Sequence, residues 1–471
     1  MIGAARLRRT RTANQNGSFM PTWRMPTTLL PHSTLRTLAR AGWLVLASVL
    51  AGCASPPKGV LSPIAQTAPD ATEVSIMVAT TRAPSDNPGL LYSGERGDAI
   101  DFNELVVSIP PDAGRKIGEV QWPKKLPADP SREFATLSAN PFTRLDQVKA
   151  WYERNQSSSG RLLIFVHGFN TRYESAVYRF AQIAHDSNTD ATPVMFTWPS
   201  RGSVFDYGYD KESTNYSRSA LEALLTVASE TPDIREITIL AHSMGTWLTM
   251  EALRQMSIRN DGVPSKISDV ILASPDLDVD VFRQQLADMG PKRPKFTVFV
   301  SRDDRALTLS RRISGNVDRL GQIDINNPVY REEFELGGIT VLDLSALKDG
   351  DRLNHSKFAD SPEVVKLLGQ RLIDGQAVTD QDIGLGAELG ATAMSVSNTV
   401  GSAAGMAISA PISILDPKAR DTFDAHSRRF GQGLGDSILG VTTGLSGGST
   451  GAHRCHPARD NCRESGIQAY R

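Results

Sequence analysis

Short apolar segments recur between residues 162 and 342 and alternate with segments of helical periodicity. Each apolar segment is nearly continuous, as is typical of a strand buried on both faces. Strands that alternate with helices form a mostly parallel sheet with helices on both faces. The sequence therefore predicts an α/β fold. Its strands are placed at 162–166, 194–198, 237–240, 270–273, 296–300 and 339–342, and its helices include 219–229, 246–256 and a final 362–372.

Three further strands are predicted ahead of this region. Residues 74–80 alternate and are rich in β-branched side chains, which favours a strand. Residues 105–109 and 119–122 follow between turn residues, and we expect them at an antiparallel edge of the same sheet. The domain is accordingly placed at residues 74–375.

The amino-terminal segment has a different charge from the rest of the chain. Residues 1–52 contain seven arginines and no acidic residue, and the remainder carries a net charge of −8. A basic amino end on an acidic body indicates a targeting segment, and the overall charge gives no case for nucleic-acid binding. The apolar run at 43–50 is too short to cross a bilayer, which takes about 20 residues.

This run ends in Leu50-Ala51-Gly52-Cys53, which resembles the lipobox of bacterial lipoproteins. The resemblance implies a signal peptide at 1–52, lipid chains on Cys53 and a membrane anchor without a spanning helix. Ala54 implies the outer membrane, with the protein facing the periplasm. Residues 53–73 are rich in Pro, Ala, Ser and Thr, which predicts a flexible tether. The alternative is an uncleaved signal anchor with an incidental cysteine.

The carboxyl-terminal region, residues 376–471, is rich in Gly, Ala, Ser and Thr. We interpret it as a poorly ordered extension, with packing on a membrane or another subunit as the alternative. It contains Cys455 and Cys462, and an oxidising compartment favours a disulfide between them. The alternative is a metal site with His453 and His456, although their spacing fits no common zinc finger.

The strongest chemical signal is the stretch from residue 239 to residue 245, which reads Ile-Leu-Ala-His-Ser-Met-Gly. A strand enters a small–x–Ser–x–Gly turn and a helix follows, which is the pattern of a nucleophile elbow. Ser243 is the predicted nucleophile. Small residues are needed beside it because the backbone folds close to neighbouring elements. Ala241 departs from the usual glycine by one methyl group.

A serine hydroxyl needs a base, and the base needs an orienting acid. In this type of fold they follow in the order Ser, Asp or Glu, His. Asp304 follows the strand at 296–300 and is the predicted acid, with Asp303 as the close alternative and Asp276 and Asp278 less favoured. His355 lies between the last strand and the last helix, where the base belongs.

Two backbone N–H groups are expected to stabilise the developing oxyanion. One belongs to Met244, next to the nucleophile, and the other to Phe169 in the loop after the strand at 162–166. Gly168 lets that loop turn in close. We interpret His167 and His242 as structural side chains rather than catalysts.

The segment 197–200, together with Tyr207, Tyr209 and Asp210, could equally line a substrate pocket or pack internally. The sequence contains no phosphate-binding loop, no His-Glu-x-x-His and no dinucleotide fingerprint, so no cofactor and no metal is expected.

Five sequence blocks resemble a bacterial family of poorly characterised, esterase/lipase-like α/β-hydrolases. The blocks stand at 78–82, 107–111, 165–171, 196–200 and 241–245, and 301–307 and His355 match later blocks. The resemblance spans roughly 74–372 and implies the α/β-hydrolase fold and a Ser-Asp-His triad, but no particular substrate.

We therefore expect a serine hydrolase that cleaves small-molecule carboxylic esters through an acyl-enzyme. Two alternatives stay open. One is a peptidase, amidase or thioesterase with the same triad, and the other is a non-catalytic envelope lipoprotein.

Overall fold

A computed structural model describes residues 58–348 and 350–369. Within these residues, nine strands form one sheet in the order β3-β2-β1-β5-β4-β6-β7-β8-β9. The strands are β1 (Thr72–Pro84), β2 (Tyr92–Ile109), β3 (Ala135–Phe142), β4 (Arg161–Val166), β5 (Thr192–Thr197), β6 (Glu236–His242), β7 (Ile267–Ala273), β8 (Lys295–Val300) and β9 (Ile339–Asp343).

The seven neighbouring strands β1-β5-β4-β6-β7-β8-β9 are parallel. At one edge of the sheet, β2 pairs antiparallel with β1, and β3 pairs antiparallel with β2. The prediction of a mostly parallel sheet with an antiparallel edge is confirmed. Parallel neighbours bring the carboxyl ends of β4, β6 and β8 to one edge, which is where ligands bind in open α/β sheets.

Helices cover both faces of the sheet. They are α1 (Leu145–Asn155), α2 (Tyr173–Asp186), α3 (Tyr207–Glu230), α4 (Met244–Asn260), α5 (Val279–Met289), α6 (Arg305–Ile313), α7 (Pro328–Gly337), α8 (Lys357–Asp360) and α9 (Pro362–Leu367). Strand β4 shows how the two faces are filled. Ile164 and Val166 point into the core under α3, α4 and α5, whereas Leu163 and Phe165 point into the core under α2 and α8. Apolar residues on both sides explain the continuous apolar runs of the sequence.

The edge of the sheet differs from the prediction in one strand. Residues 119–122 form no strand, and the third edge strand is β3. The amide of Trp122 donates to the nearby Val120 carbonyl instead of a strand partner (N···O 3.0 Å). The Trp122 ring packs against Tyr178 of α2, with ring centroids 5.3 Å apart. The apolar side chains of this segment therefore pack over α2. The segment does not join the sheet, because β3 pairs with β2 in its place.

The prediction of a flexible tether at 53–73 is wrong at Val60 and Leu61. Val60 and Leu61 are buried in the core on the α2 side of the sheet. The Val60 carbonyl accepts a hydrogen bond from the Tyr178 hydroxyl (2.8 Å), and the Leu61 amide donates to Gly89 (3.1 Å). Two adjacent apolar side chains are enough to dock this short segment on the domain.

Several sequence predictions lie outside the described residues. They are the signal peptide at 1–52, lipidation of Cys53, the extension at 376–471 and the Cys455–Cys462 disulfide. Among the described residues, no helix is both long enough and apolar enough to cross a membrane.

Candidate active site

Ser243 lies in the sharp turn between β6 and α4, with φ of 51° and ψ of −122°. Few residues other than glycine adopt a positive φ, and holding one there stores strain. The turn is fixed at both ends. The Ser243 amide donates to the Ala273 carbonyl of β7 (3.0 Å), and the Ser243 carbonyl accepts from the Thr246 amide (3.0 Å). This geometry presents the side chain at the carboxyl edge of the sheet.

Two glycines let the loop after β4 come close to Ser243. A Cβ added at Gly168 would lie 2.8 Å from Cβ of Ser243, and one added at Gly245 would collide with the His167 carbonyl oxygen. These distances exclude a larger side chain unless the backbone moves. Ala241 is fully buried, so its extra methyl group is accommodated within the core.

Asp304 and His355 form a direct hydrogen bond. Nδ1 of His355 lies 2.6 Å from Oδ2 of Asp304, which is fully buried. The other carboxylate oxygen, Oδ1, accepts from the Leu307 amide (2.9 Å) and so caps α6. Because Nδ1 donates to the carboxylate, Nε2 of the neutral ring is left free as a base. The His355 and Ser356 amides donate to Oδ1 of Asp351 (2.6 and 3.0 Å), which holds the loop.

Opposing effects act on the pKa of His355. Burial favours the neutral ring and lowers the pKa, but the hydrogen bond and the charge of Asp304 outweigh it, and the pKa is raised above its ordinary value. The charges of Asp276 and Asp351 act in the same direction as Asp304. An imidazole with a raised pKa is a stronger base once it is neutral.

His242, the residue before Ser243 in the chain, contacts His355. The His242 and His355 rings have centroids 4.7 Å apart, and Nε2 of His242 donates to the His355 carbonyl (3.3 Å). No hydrogen bond joins the Ser243 hydroxyl to the His355 ring in the part of the chain that the structure describes. Such contacts often tighten only when substrate binds. Burial and then the His355 charge hold the pKa of His242 well below its ordinary range, so His242 stays neutral.

The other candidate acids have different partners. Asp303 binds Nζ of Lys357 (2.8 Å) and Nδ2 of Asn354 (2.8 Å), and therefore braces the loop around His355. Asp276 accepts from the Tyr207 hydroxyl (3.1 Å), and Asp278 caps α5 by accepting from the Asp280 amide (2.8 Å). Only Asp304, among these four carboxylates, binds the imidazole of His355.

The two amides predicted for the oxyanion belong to residues in segments that meet at Ser243. Met244 is the first residue of α4, and the first N–H groups of a helix have no partner within it. Phe169 follows Gly168, whose close approach to Ser243 is described above, and the Phe169 ring packs edge-on against Tyr207 (centroids 5.2 Å apart). Among the described residues, the Phe169 amide donates to no other protein group.

Comparisons with known proteins bear on the family and the fold. Residues 145–371 match the model of a family described as "Alpha/beta hydrolase of unknown function (DUF900)". The domain has the α/β-hydrolase fold. The match supports an α/β-hydrolase family for this chain, as the sequence blocks imply.

The α/β-hydrolase domain is also similar to individual proteins. An uncharacterized protein of Nostoc sp. (strain PCC 7120) is 30% identical over 121 residues, which is 20% of this chain and 31% of that protein. The chain thus spans about a third of the length of this curated relative. Two solved structures match weakly. A "predicted CIB-like hydrolase" from Thermoplasma acidophilum has a TM-score of 0.25 and 13% identity over 46% of this chain and 88% of that chain. A gene product of Listeria innocua has a TM-score of 0.29 and 12% identity over 46% and 95%.

His167 of the α/β-hydrolase domain is held as a neutral ring. Nδ1 donates to the Gly168 carbonyl (2.8 Å), so Nε2 accepts from the Trp198 amide (3.2 Å) and pairs with Oγ1 of Thr197 (2.8 Å). Burial, and then the nearby charge of Arg82, hold the pKa of His167 well below its ordinary value. These contacts fit a bracing role for the loop that precedes Phe169.

Arg82 is a site residue that the sequence interpretation missed. Its buried guanidinium donates to the Thr171 carbonyl (2.8 Å), the Ser200 carbonyl (2.9 Å) and Oγ1 of Thr197 (2.9 Å). It therefore ties β1 to the loops that follow β4 and β5. Burial lowers the pKa of Arg82 to about 10, so the side chain remains charged near neutrality. Arg82 ends the sequence block at 78–82, but the block assigns it no role.

The aromatic residues proposed for a pocket separate into two groups. Tyr207 lies inside, next to Phe169 and Asp276. Tyr209 lies at the surface, with the Arg201 guanidinium 3.7 Å from its ring centre. Asp210 is buried and accepts from the Arg201 amide (3.1 Å) and the Asn170 amide (3.2 Å), so it shapes the loop after β4. Burial raises the pKa of Asp210.

A metal site is not formed by the residues that the structure describes. Among them, no group of three or more His, Cys, Asp or Glu side chains is arranged to hold an ion.

Proposed function

We propose that this protein is a serine hydrolase that cleaves carboxylic esters, with Ser243 as nucleophile, His355 as base and Asp304 as orienting acid. The observation that carries the proposal is the strained turn at Ser243 beside a hydrogen-bonded Asp304–His355 pair. Strain in a turn is retained when the surrounding structure imposes it, and such positions cluster at active sites.

The reaction would proceed in two half-reactions. Oγ of Ser243 attacks the ester carbonyl carbon while its proton passes to Nε2 of His355, and the carbonyl electron pair moves onto oxygen. The Phe169 and Met244 amides donate to that oxyanion. The intermediate collapses to an acyl-enzyme, and His355 returns the proton to the departing alkoxide, which leaves as the alcohol.

Water then attacks the acyl-enzyme, with His355 again taking the proton. Collapse of the second intermediate releases the carboxylic acid and restores the Ser243 hydroxyl. Asp304 stabilises the imidazolium that forms in both halves, because its carboxylate accepts from Nδ1 throughout.

The test is labelling of the full chain with a fluorophosphonate probe. We expect labelling of the wild type, none of Ser243→Ala and strongly reduced labelling of His355→Ala. Ser219→Ala, an exposed serine of α3, is the matched control and should label normally. A folded wild type that does not label, or a Ser243→Ala variant that labels as well as wild type, would refute the proposal and favour a binding protein.

The kind of bond is tested by matched ester, thioester and anilide substrates. We expect the highest kcat/KM for the ester. An anilide or thioester that is cleaved faster would keep the same residues and change the class to amidase, peptidase or thioesterase.

We also propose that Cys53 carries lipid chains and holds the protein at the outer membrane. Incorporation of labelled palmitate should be lost in Cys53→Ser and kept in Cys455→Ser. Incorporation that persists in Cys53→Ser would refute the anchor.

A further inference from the structure

A cavity of about 180 Å³ lies at the carboxyl edge of the sheet, on the side that α2 covers. Its apolar walls come from four parts of the chain. Phe165 belongs to β4, Ala176 to α2 and Phe358 to α8, while Val120 and Trp122 belong to the segment that crosses α2. This segment is the one predicted as a strand, and its place over α2 closes the cavity.

The cavity shares walls with the candidate active site. Gly168 lines it and also approaches Ser243, where an added Cβ would be 2.8 Å from the Cβ of the serine. His242 lines it as well, and its ring lies 4.7 Å from both the His355 ring and the Phe358 ring, centroid to centroid. The space is therefore lined by chain neighbours of the three site residues: His242 precedes Ser243, Ser356 follows His355 and Gly168 precedes Phe169.

The polar groups of the wall present little net charge. His242 is neutral, because its pKa lies well below its ordinary range. The Arg179 guanidinium is balanced by Asp360, with Nη1 2.9 Å from Oδ1, and also donates to the Gly118 carbonyl (3.1 Å) and to Oε1 of Gln182 (2.9 Å). A charged group entering the cavity would lose its water without gaining an unpaired partner. The lining therefore favours an uncharged occupant.

We propose that this cavity is the acyl pocket of the enzyme and that it selects compact, uncharged acyl groups of about the size of a benzene ring. A cavity of roughly 150 Å³ in an apolar protein core holds benzene, so a cavity of this volume can hold an acyl group of similar size. The inference rests on the proposed ester hydrolysis. The acyl group stays attached to Ser243 until water arrives, whereas the alcohol departs after the first step. A partly apolar recess next to the serine turn suits the part that stays.

The first test measures kcat/KM of the full chain for p-nitrophenyl acetate, butyrate, benzoate, octanoate and palmitate. Butyrate and benzoate should exceed octanoate and palmitate. Ala176→Leu, which fills the cavity, should lower kcat/KM for butyrate and benzoate by at least about 10-fold, because one methylene in an apolar pocket changes selectivity about 10- to 200-fold. Acetate should change by less than about 3-fold. Val120→Ala, which enlarges the cavity, should move the preference toward longer chains, and it carries the test if Ala176→Leu does not fold.

The matched control fills a different cavity. Ser62→Leu projects into a space of about 210 Å³ that includes Leu126 and Thr136 in its wall, and it should leave the acyl preference unchanged. An Ala176→Leu variant with the wild-type preference, or a Ser62→Leu variant that shifts it equally, would overturn the acyl pocket.

A second readout needs no turnover. Methyl benzoate added to Ser243→Ala should change the fluorescence of Trp122, and the change should vanish in Ser243→Ala/Trp122→Phe and weaken in Ser243→Ala/Ala176→Leu. Labelling of wild-type Ser243 without any such change or acyl preference would overturn the pocket and leave the hydrolase standing. Binding that depends on Ala176 without labelling would support the pocket as a ligand site and overturn the hydrolase.

Discussion

The strain at Ser243 predicts that glycine at this position stabilises the fold. A non-glycine residue held at φ of 51° and ψ of −122° stores about 1–3 kcal/mol, and glycine adopts this conformation readily. Glycine also has more freedom in the unfolded chain, which costs about 0.5–1 kcal/mol relative to alanine. Alanine retains the Cβ and therefore the strain, so the two substitutions differ mainly in the strain. We expect Ser243→Gly to be more stable than Ser243→Ala by about 1 kcal/mol.

Urea denaturation of the full chain, followed by fluorescence, measures this difference as a shift in the midpoint at an unchanged slope. The same pair of substitutions at Ser219, in the middle of α3, is the control and should give the opposite sign. There glycine should be less stable than alanine by about 1 kcal/mol, because helical φ offers glycine no advantage. If Ser243→Gly is no more stable than Ser243→Ala, the turn stores no strain and the structural argument for the nucleophile is lost.

Three further predictions concern the surroundings of Ser243. In the proposed mechanism neutral His355 is the base, so kcat/KM should rise with pH through a midpoint above 6.5. Asp304→Asn should lower both that midpoint and kcat, the latter by about 10³-fold or more, and pH profiles of both proteins measure this. The same raised pKa stabilises the folded state fully below about pH 6.5, and this contribution is lost as the pH rises through the folded pKa. Arg82→Lys keeps the charge but loses the planar set of donors. We expect the free energy of unfolding, measured in urea, to fall by about 2 kcal/mol and the probe labelling to weaken. Unchanged values would show that the guanidinium contacts are dispensable. Gly168→Ala should fold but lose at least about 10-fold in kcat/KM, because its methyl group would press on Cβ of Ser243, and wild-type kinetics would contradict the close approach.

The central sheet was predictable because its strands are buried on both faces. Residues 162–166 of β4 are all apolar and buried, because helices pack against both faces of the strand. Strand β3 was missed for the converse reason. Its sequence, ATLSANPF, is polar over much of its length and ends next to a proline, since it lies at the sheet edge.

The site was predictable where the chemistry depends on local sequence. The turn around Ser243 must contain small residues, and the base must follow the last strand, so both are visible in one segment each. The choice between Asp303 and Asp304 depends on side-chain direction and not on local sequence. Both follow β8, and only the direction in which each side chain leaves the turn decides which reaches His355.

The role of Arg82 could not be identified from the sequence, because most partners of its guanidinium are far from it along the chain. The carbonyls of Thr171 and Ser200 reach it only after β1, β4 and β5 have assembled side by side. A contact of this kind depends on pairing between distant strands, which single-sequence patterns do not encode.

The two oxygens of the Asp304 carboxylate are divided between two tasks, one holding the first turn of α6 and the other aiming the His355 ring. The base is therefore oriented only when that helix is in place. A molecule in which α6 has frayed still carries its serine but lacks an aimed imidazole. Loss of the proposed ester hydrolysis in dilute denaturant should then precede unfolding of the sheet, so that activity would report whether α6 is docked.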